Sequence, residues 1–99
     1  MDVIPVNVNN FMKNYKFKIN GKVQGVYYRA CVQKSAFDSG YSGYVKNMSD
    51  GSVEAGVTCD ESKIDNFINI LEQGSTYSNV TSIEPLSCDE LFSGGFEVR

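Results

Sequence analysis

Polar and apolar positions alternate along this chain with two different periods, and the first to appear is a period of two. In the stretch YKFKIN, three apolar side chains share one side and two lysines share the other. The apolar side carries Tyr15, Phe17 and Ile19, and the polar side carries Lys16 and Lys18. This alternation predicts a β-strand with one buried face and one face in water.

Helical spacing occurs twice. The apolar positions are Tyr28, Cys31, Val32 and Ala36 in the first predicted helix, and Ile64, Phe67, Ile68 and Leu71 in the second. Each set would form one stripe along a helix. Gly40 and Gly74 follow the two stripes and are suited to ending helices, and the polar run DESK from Asp60 can cap the second helix.

The remaining regular segments have the features of strands. YSGYVKN and SVEAGV are separated by MSDG, in which Asp50 and Gly51 favour a hairpin turn. The second of these strands would direct Val53, Ala55 and Val57 inward. An extended segment is predicted from Val80 to Leu86, and a short last strand at Phe96 and Val98.

The order strand, helix, strand, strand, helix, strand is that of the split βαβ or ferredoxin-like arrangement. Because one side of the first strand is polar, both helices should cover a single face of a mostly antiparallel sheet. We therefore expect an α+β fold, a ferredoxin-like sandwich, over residues 13–99. Residues 1–12, MDVIPVNVNNFM, show no helical stripe, and we predict that they form a flexible N-terminal tail, or at most an added edge strand.

Composition narrows the possible partners. The 99 residues carry a formal charge of −3, so general attraction to nucleic acid or an anionic membrane is not expected. Cys31, Cys59 and Cys88 show no paired spacing, and no secretory signal pattern opens the sequence. These features favour a reduced cytoplasm, and nothing in the sequence demands more than a monomer.

The stretch GKVQGVYYR joins the first strand to the first helix. A helix begins with unpaired N–H groups and the positive end of its dipole, which together attract anions. Gly21 and Gly25 would let the loop between them curl, and the side chain of Arg29 would lean back over it. From spacing alone, a phosphate site and an ordinary turn with a solvated arginine both stay open. The nucleotide-binding pattern GxxxxGK[ST] is absent.

GKVQGVYYR, followed by GYSGYVKNMSDGSVEA, resembles the signature of the acylphosphatase family. That signature reads approximately G-x-V-Q-G-V-x-[FY]-R and then G-x-x-G-[WY]-V-x-N-x-x-D-G-x-V-E. By position the resemblance implies that Arg29 binds substrate and that Asn47 orients a water. It also implies a phosphate cradle of backbone amides from Gln24, Gly25, Val26, Tyr27 and Tyr28. Two departures are Tyr44, where many members have tryptophan, and the segment QGSTYSNVTSIEP, which lacks the frequent Gly-Pro.

Residue chemistry limits the reaction. The chain has no histidine, and the glycine loop has no carboxylate, so the usual general acids and bases are missing. Arginine and amides bind charge and position water, but they do not readily protonate a leaving group. The carboxylate of an acyl phosphate leaves without protonation, because its conjugate acid has a pKa of about 4. The expected reaction is hydrolysis of a small acyl phosphate without metal or cofactor, with inorganic phosphate or sulfate as a site ligand.

Three alternative functions fit this sequence less well. The same fold can bind RNA through aromatic side chains on an open sheet face, but here the first strand presents lysines there. A cradle could also bind a carbamoyl-type phosphate without hydrolysing it, inside a larger enzyme. Phosphatases that use a thiolate place the cysteine before the cradle, whereas Cys31 follows Arg29 and is more readily explained by packing.

Overall fold

The structure, a computed structural model, describes residues 12–99, and five strands and two α-helices form its regular elements. They are β1 (Met12–Lys22), α1 (Tyr28–Asp38), β2 (Ser42–Asn47), β3 (Val53–Asp60), α2 (Ile64–Gln73), β4 (Asn79–Leu86) and β5 (Phe96–Val98). A short 3₁₀ turn, Glu61–Lys63, leads into α2 and is capped by the carboxylate of Asp60. The predicted tail lies outside the described residues except for Met12, which begins β1.

The five strands form one sheet in the order β4-β1-β3-β2-β5. β1 pairs antiparallel with both β3 and β4, and β2 pairs antiparallel with β3. β5 extends the sheet beyond β2 and runs parallel to it. The predicted α+β, ferredoxin-like fold with a mostly antiparallel sheet is therefore confirmed. Within residues 12–99, no helix is long and apolar enough to cross a bilayer.

The main core lies between the sheet and the two helices. Val53, Ala55 and Val57 of β3 are fully buried there, as their alternation predicted. The ring of Phe67 from α2 lies 6.3 Å from that of Phe17 and 5.8 Å from that of Phe96, centroid to centroid. One α2 side chain thus contacts strands from both sides of the sheet centre, and it fixes the helix against β1 and β5.

The opposite face of the sheet is partly covered by the segment between β4 and β5. Phe92 packs edge-on against Tyr44 with ring centroids 5.3 Å apart, and its N–H donates to Thr58 Oγ1 at 2.8 Å. Tyr44 is only 2% exposed. The aromatic side chain on this face is therefore buried in the fold, which removes the stacking surface that an RNA-binding sheet needs. Sequence patterning did not reveal this second, smaller apolar cluster.

Gly21 has a different role from the one its motif suggested. It lies inside β1, at the register shift where β1 bulges against β4, with φ at 126°. A Cβ added there would lie 2.1 Å from the carbonyl oxygen of Asn79. Gly21 thus permits close strand pairing, and the curled loop itself begins after β1.

A pair of glycine substitutions tests this assignment. Gly21→Ala should lower the free energy of unfolding by about 3 kcal/mol or more, because it combines a forbidden φ with a backbone clash. Gly25→Ala is the matched control, since Gly25 also has positive φ, 73°, but an added Cβ would meet nothing within 4 Å. Its expected effect is about 1 to 2 kcal/mol. Urea unfolding measures both, and equal losses would contradict the proposed role of Gly21.

Candidate active site

A cavity of about 390 Å³ opens where the glycine loop, the start of α1 and the ends of β2 and β5 meet. It is lined by Val23, Gly25, Tyr27, Tyr28, Arg29, Ala30, Asn47 and Val98. The fold therefore brings together Arg29 and Asn47, which lie far apart in the sequence. A larger groove of about 720 Å³ between α2 and β4 is mostly apolar, and Glu72 is its one charged lining residue, so it is unsuited to an anion.

Residues 25–28, which lead into α1, alternate between exposed and buried positions. Val26 and Tyr28 are buried, whereas Gly25 is exposed and Tyr27 is 74% exposed. The phenol of Tyr28 donates to the carbonyl of Leu71 at 2.6 Å, and burial raises the pKa of this phenol. Tyr28 is thus a structural anchor whose hydroxyl is already engaged with α2.

The backbone amides of this loop have no partner among the described residues. None of the N–H groups of residues 24–28 donates a hydrogen bond within residues 12–99. The N-cap of α1 is Tyr27, which has a left-handed φ of 64° and offers no side-chain cap, and the first turn holds no acidic residue. A helix start that lacks both a cap and a carboxylate keeps its positive end available to an anion.

The two polar side chains of the cavity are held differently. Arg29, the second residue of α1, is half-buried, and its Nη1 donates to the carbonyl oxygen of Arg99 at 3.1 Å. Asn47 ends β2 opposite Val53. Its side-chain oxygen Oδ1 is buried and accepts no hydrogen bond from residues 12–99. A buried acceptor without a partner is unfavourable, so this oxygen is available to a donor from water or a bound molecule.

Gln24 connects the loop to the hairpin that carries Asn47. Its Nε2 donates to the carbonyls of both Met48 and Ser52 at 2.8 Å. These two residues also close the turn, because Met48 N–H donates to the Ser52 carbonyl at 2.8 Å. The motif had implied only a backbone role for Gln24, and local periodicity holds no signal for a side-chain contact of this kind.

The cysteines lie apart from the cavity lining. Cys31, Cys59 and Cys88 are all free thiols. Cys59 lies in β3, and burial raises the pKa of its thiol to about 11, so it stays protonated at neutral pH. Cys31 lies on α1 and does not line the cavity. It is half-buried, whereas Tyr28, Val32 and Ala36 of the same predicted stripe are buried, so its packing role stays a prediction.

Comparison with known proteins decides the family. Residues 15–98 match the family model described as Acylphosphatase. The chain belongs to the acylphosphatase family. An acylphosphatase of Methanocella arvoryzae is 41% identical over 88 residues, which span 89% of this chain and all of that protein.

Solved acylphosphatase structures have the same fold. The crystal structure of acylphosphatase from Bacillus subtilis is 32% identical, has a TM-score of 0.77, and is matched over 89% of this chain and 98% of its own. Full-length HypF, in a phosphate- and nucleotide-bound form, is 26% identical with a TM-score of 0.73. This chain covers only 12% of that protein, so the acylphosphatase fold also occurs as part of a larger chain.

Replacement of the Gln24 amide tests whether it couples the loop to the hairpin. Gln24→Ala should weaken binding of inorganic phosphate several-fold and lower stability by about 1 to 2 kcal/mol, because two hydrogen bonds between the loop and the turn are lost. Isothermal titration and thermal melting measure the two effects.

Gln33→Ala is the matched control for this experiment. The Gln33 amide also donates to a backbone carbonyl, that of Phe96 at 3.0 Å, but it does not line the cavity. Gln33→Ala should therefore lower stability while leaving phosphate binding intact. If both variants weaken phosphate binding equally, the effect is general destabilisation and Gln24 has no specific role.

Proposed function

We propose that this member of the acylphosphatase family hydrolyses acyl phosphates to a carboxylate and inorganic phosphate. The observation that carries the proposal is one cavity that joins free loop amides, the Arg29 guanidinium and the Asn47 carboxamide. The family model and the acylphosphatases to which the chain is similar support the same reaction class.

Arg29 and the amides of Gln24 to Tyr28 bind the phosphoryl group in this proposal. A guanidinium is always charged and can donate to two phosphate oxygens at once. It is therefore suited to the negative charge that is shared among the oxygens of a phosphoryl group. Amides fixed by the loop provide further donors without reorganisation during the reaction. An acidic protein can therefore hold phosphate, because the positive groups are concentrated at one place.

Asn47 orients the attacking water. Its buried Oδ1 lacks a protein donor and can accept a hydrogen bond from that water. The water oxygen forms a bond to phosphorus in line with the bond that breaks, and the electron pair of the broken bond leaves on the carboxylate. The proton of the water passes to a phosphoryl oxygen of the substrate, since the cavity offers no protein base.

The leaving group follows from the cavity's chemistry. None of the lining side chains carries a carboxylate, imidazole or thiol. Of the two lining phenols, that of Tyr28 is committed to Leu71, and the side chain of Tyr27 is 74% exposed to solvent. A leaving group must then depart without protonation, which a carboxylate does and an alkoxide does not. The same set of side chains offers no metal-binding cluster, so we propose a reaction without metal or cofactor.

The wider assignments are also part of this proposal. We propose a cytoplasmic monomer that acts on a small acyl phosphate and binds neither nucleic acid nor membrane. The net charge of −3 and the burial of Tyr44 on the second sheet face support the expected lack of nucleic-acid binding. A titration of labelled single-stranded RNA at low salt should accordingly show no binding.

Substitution of the two polar side chains tests their roles. Phosphate release from benzoyl phosphate should fall by about two to three orders of magnitude in Arg29→Ala and in Asn47→Ala, since each removes a preorganised contact. Lys34→Ala is the matched control, because it removes a positive charge from the same helix where Lys34 pairs with Asp38 at 2.9 Å. It should retain full activity. Circular dichroism verifies folding, and near-normal turnover in folded Arg29→Ala would contradict the assignment.

Metal dependence and leaving-group selectivity can be tested together. Turnover of benzoyl phosphate and acetyl phosphate should persist in excess EDTA, while an alkyl phosphate monoester should release no phosphate above its spontaneous rate. Loss of activity in EDTA that returns when a metal is added would refute the metal-independent scheme. Rapid hydrolysis of the monoester would require a general acid that the cavity does not provide.

A further inference from the structure

The loop that follows α2 directly contacts the loop of residues 24–28. The hydroxyl of Ser75 donates to the carbonyl oxygen of Val26 at 2.6 Å. Gly74 lies against the ring of Tyr28, and a Cβ added to Gly74 would come within 2.5 Å of that ring. This loop belongs to the segment QGSTYSNVTSIEP, which lies outside the family signature.

Ser75 is itself held in a compact turn. Its N–H donates to Ser78 Oγ at 3.0 Å, and Ser78 N–H donates to the Ser75 carbonyl at 3.2 Å. The Ser78 hydroxyl also donates to the Ser75 carbonyl, at 3.0 Å. The backbone of Ser75 is thus fixed at both polar groups, which leaves its hydroxyl directed at Val26.

The Ser75 hydrogen bond sets the orientation of one peptide plane in the cradle. In a trans peptide the carbonyl and the following N–H point in opposite directions, and the described residues contain no cis peptide. Because the Val26 carbonyl points to Ser75, the N–H of Tyr27 points away from Ser75. That N–H has no acceptor among residues 12–99, and Tyr27 lines the cavity.

This orientation is locally unfavourable and needs support. Tyr27 is the one non-glycine residue with positive φ among the described residues, at 64°. A flip of the peptide between Val26 and Tyr27 would return Tyr27 to negative φ, which a side chain such as tyrosine prefers. The flip would also turn the N–H of Tyr27 away from the cavity. The Ser75 hydrogen bond opposes it, because a flipped carbonyl would lose its donor.

We propose that Ser75 is a positioning residue that keeps the amide of Tyr27 directed at the phosphoryl group. It does not touch substrate, and it acts through the peptide plane between Val26 and Tyr27. The proposal rests on the proposed function in one respect, that the cavity binds phosphate. It assigns to the loop after α2 a part in that site that the family signature does not contain.

Inorganic phosphate is the probe for the first experiment. Ser75→Ala should raise the dissociation constant for phosphate by about tenfold, the factor that loss of one hydrogen bond commonly produces, and should lower kcat/KM for benzoyl phosphate similarly. Thr76→Ala, at the exposed neighbouring position, should change neither. Ser75→Thr keeps the hydroxyl and should restore binding. Ser75→Cys keeps the side-chain shape with a weaker donor and should give a smaller loss, so a misfolded alanine variant would not end the test.

NMR of the Tyr27 amide separates positioning from general destabilisation. In the parent protein, phosphate should shift the ¹⁵N–¹H signal of Tyr27 strongly, and in Ser75→Ala at saturating phosphate this shift should shrink or vanish. The signal of Gly25 should still respond. An unchanged Tyr27 shift, or phosphate binding equal to that of Thr76→Ala, would overturn the proposal.

A double-mutant cycle with Tyr27→Gly tests the role of strain. Glycine adopts positive φ freely, so Ser75→Ala should weaken phosphate binding less in the Tyr27→Gly background than in the parent. Equal losses in both backgrounds would contradict the account. Failure of the parent to hydrolyse benzoyl phosphate would refute the proposed function alone, because phosphate binding and the Tyr27 signal are measured independently of turnover.

Discussion

Side-chain anchoring of residues 24–28 is the constraint on which the rest of this site depends. A row of backbone amides without acceptors is unfavourable, and it persists only where the surrounding structure leaves the chain no alternative. Here Val26 and Tyr28 are buried in the main core, while Gln24 is bonded to the turn after β2. The loop is therefore built by its inward side chains, and its outward surface consists of backbone amides and the exposed side chain of Tyr27.

The same anchors explain how the two polar side chains of the site are placed relative to each other. Gln24 bonds to the turn that immediately follows Asn47, and Arg29 follows the loop at the start of α1. Movement of the cradle would thus carry Arg29 with it and strain the hairpin of Asn47. A site whose chemistry depends on position, with no carboxylate, imidazole or thiol in its lining, needs this rigidity more than most.

The two faces of the sheet are linked through Arg99. Its backbone N–H donates to the Val45 carbonyl at 2.8 Å, and its own carbonyl accepts from Arg29. Its guanidinium lies 4.2 Å from the ring centroid of Tyr44, which packs against Phe92 on the second face. The aromatic cluster that covers this face therefore helps to hold the strand edge against which Arg29 is positioned.

The sequence by itself determined the element order, the fold class and the candidate site. Period-two and helical spacings are local patterns, so they located β1, α2 and the inward face of β3 without knowledge of the fold. The motif around Arg29 and Asn47 added the family, which the comparisons confirmed, while the roles of these residues stay predictions.

Only the tertiary structure decided which side chains support the site. The hydrogen bonds of Gln24 to the hairpin and of Ser75 to Val26 join residues that are separated by 24 to 49 positions in the sequence. The packing of Phe92 against Tyr44 is a contact of the same long-range kind. Gly21, assigned to the loop by its motif, belongs to a strand bulge because of its approach to Asn79. Such contacts arise from how elements pack, and periodicity along one segment holds no record of the segment that will lie against it.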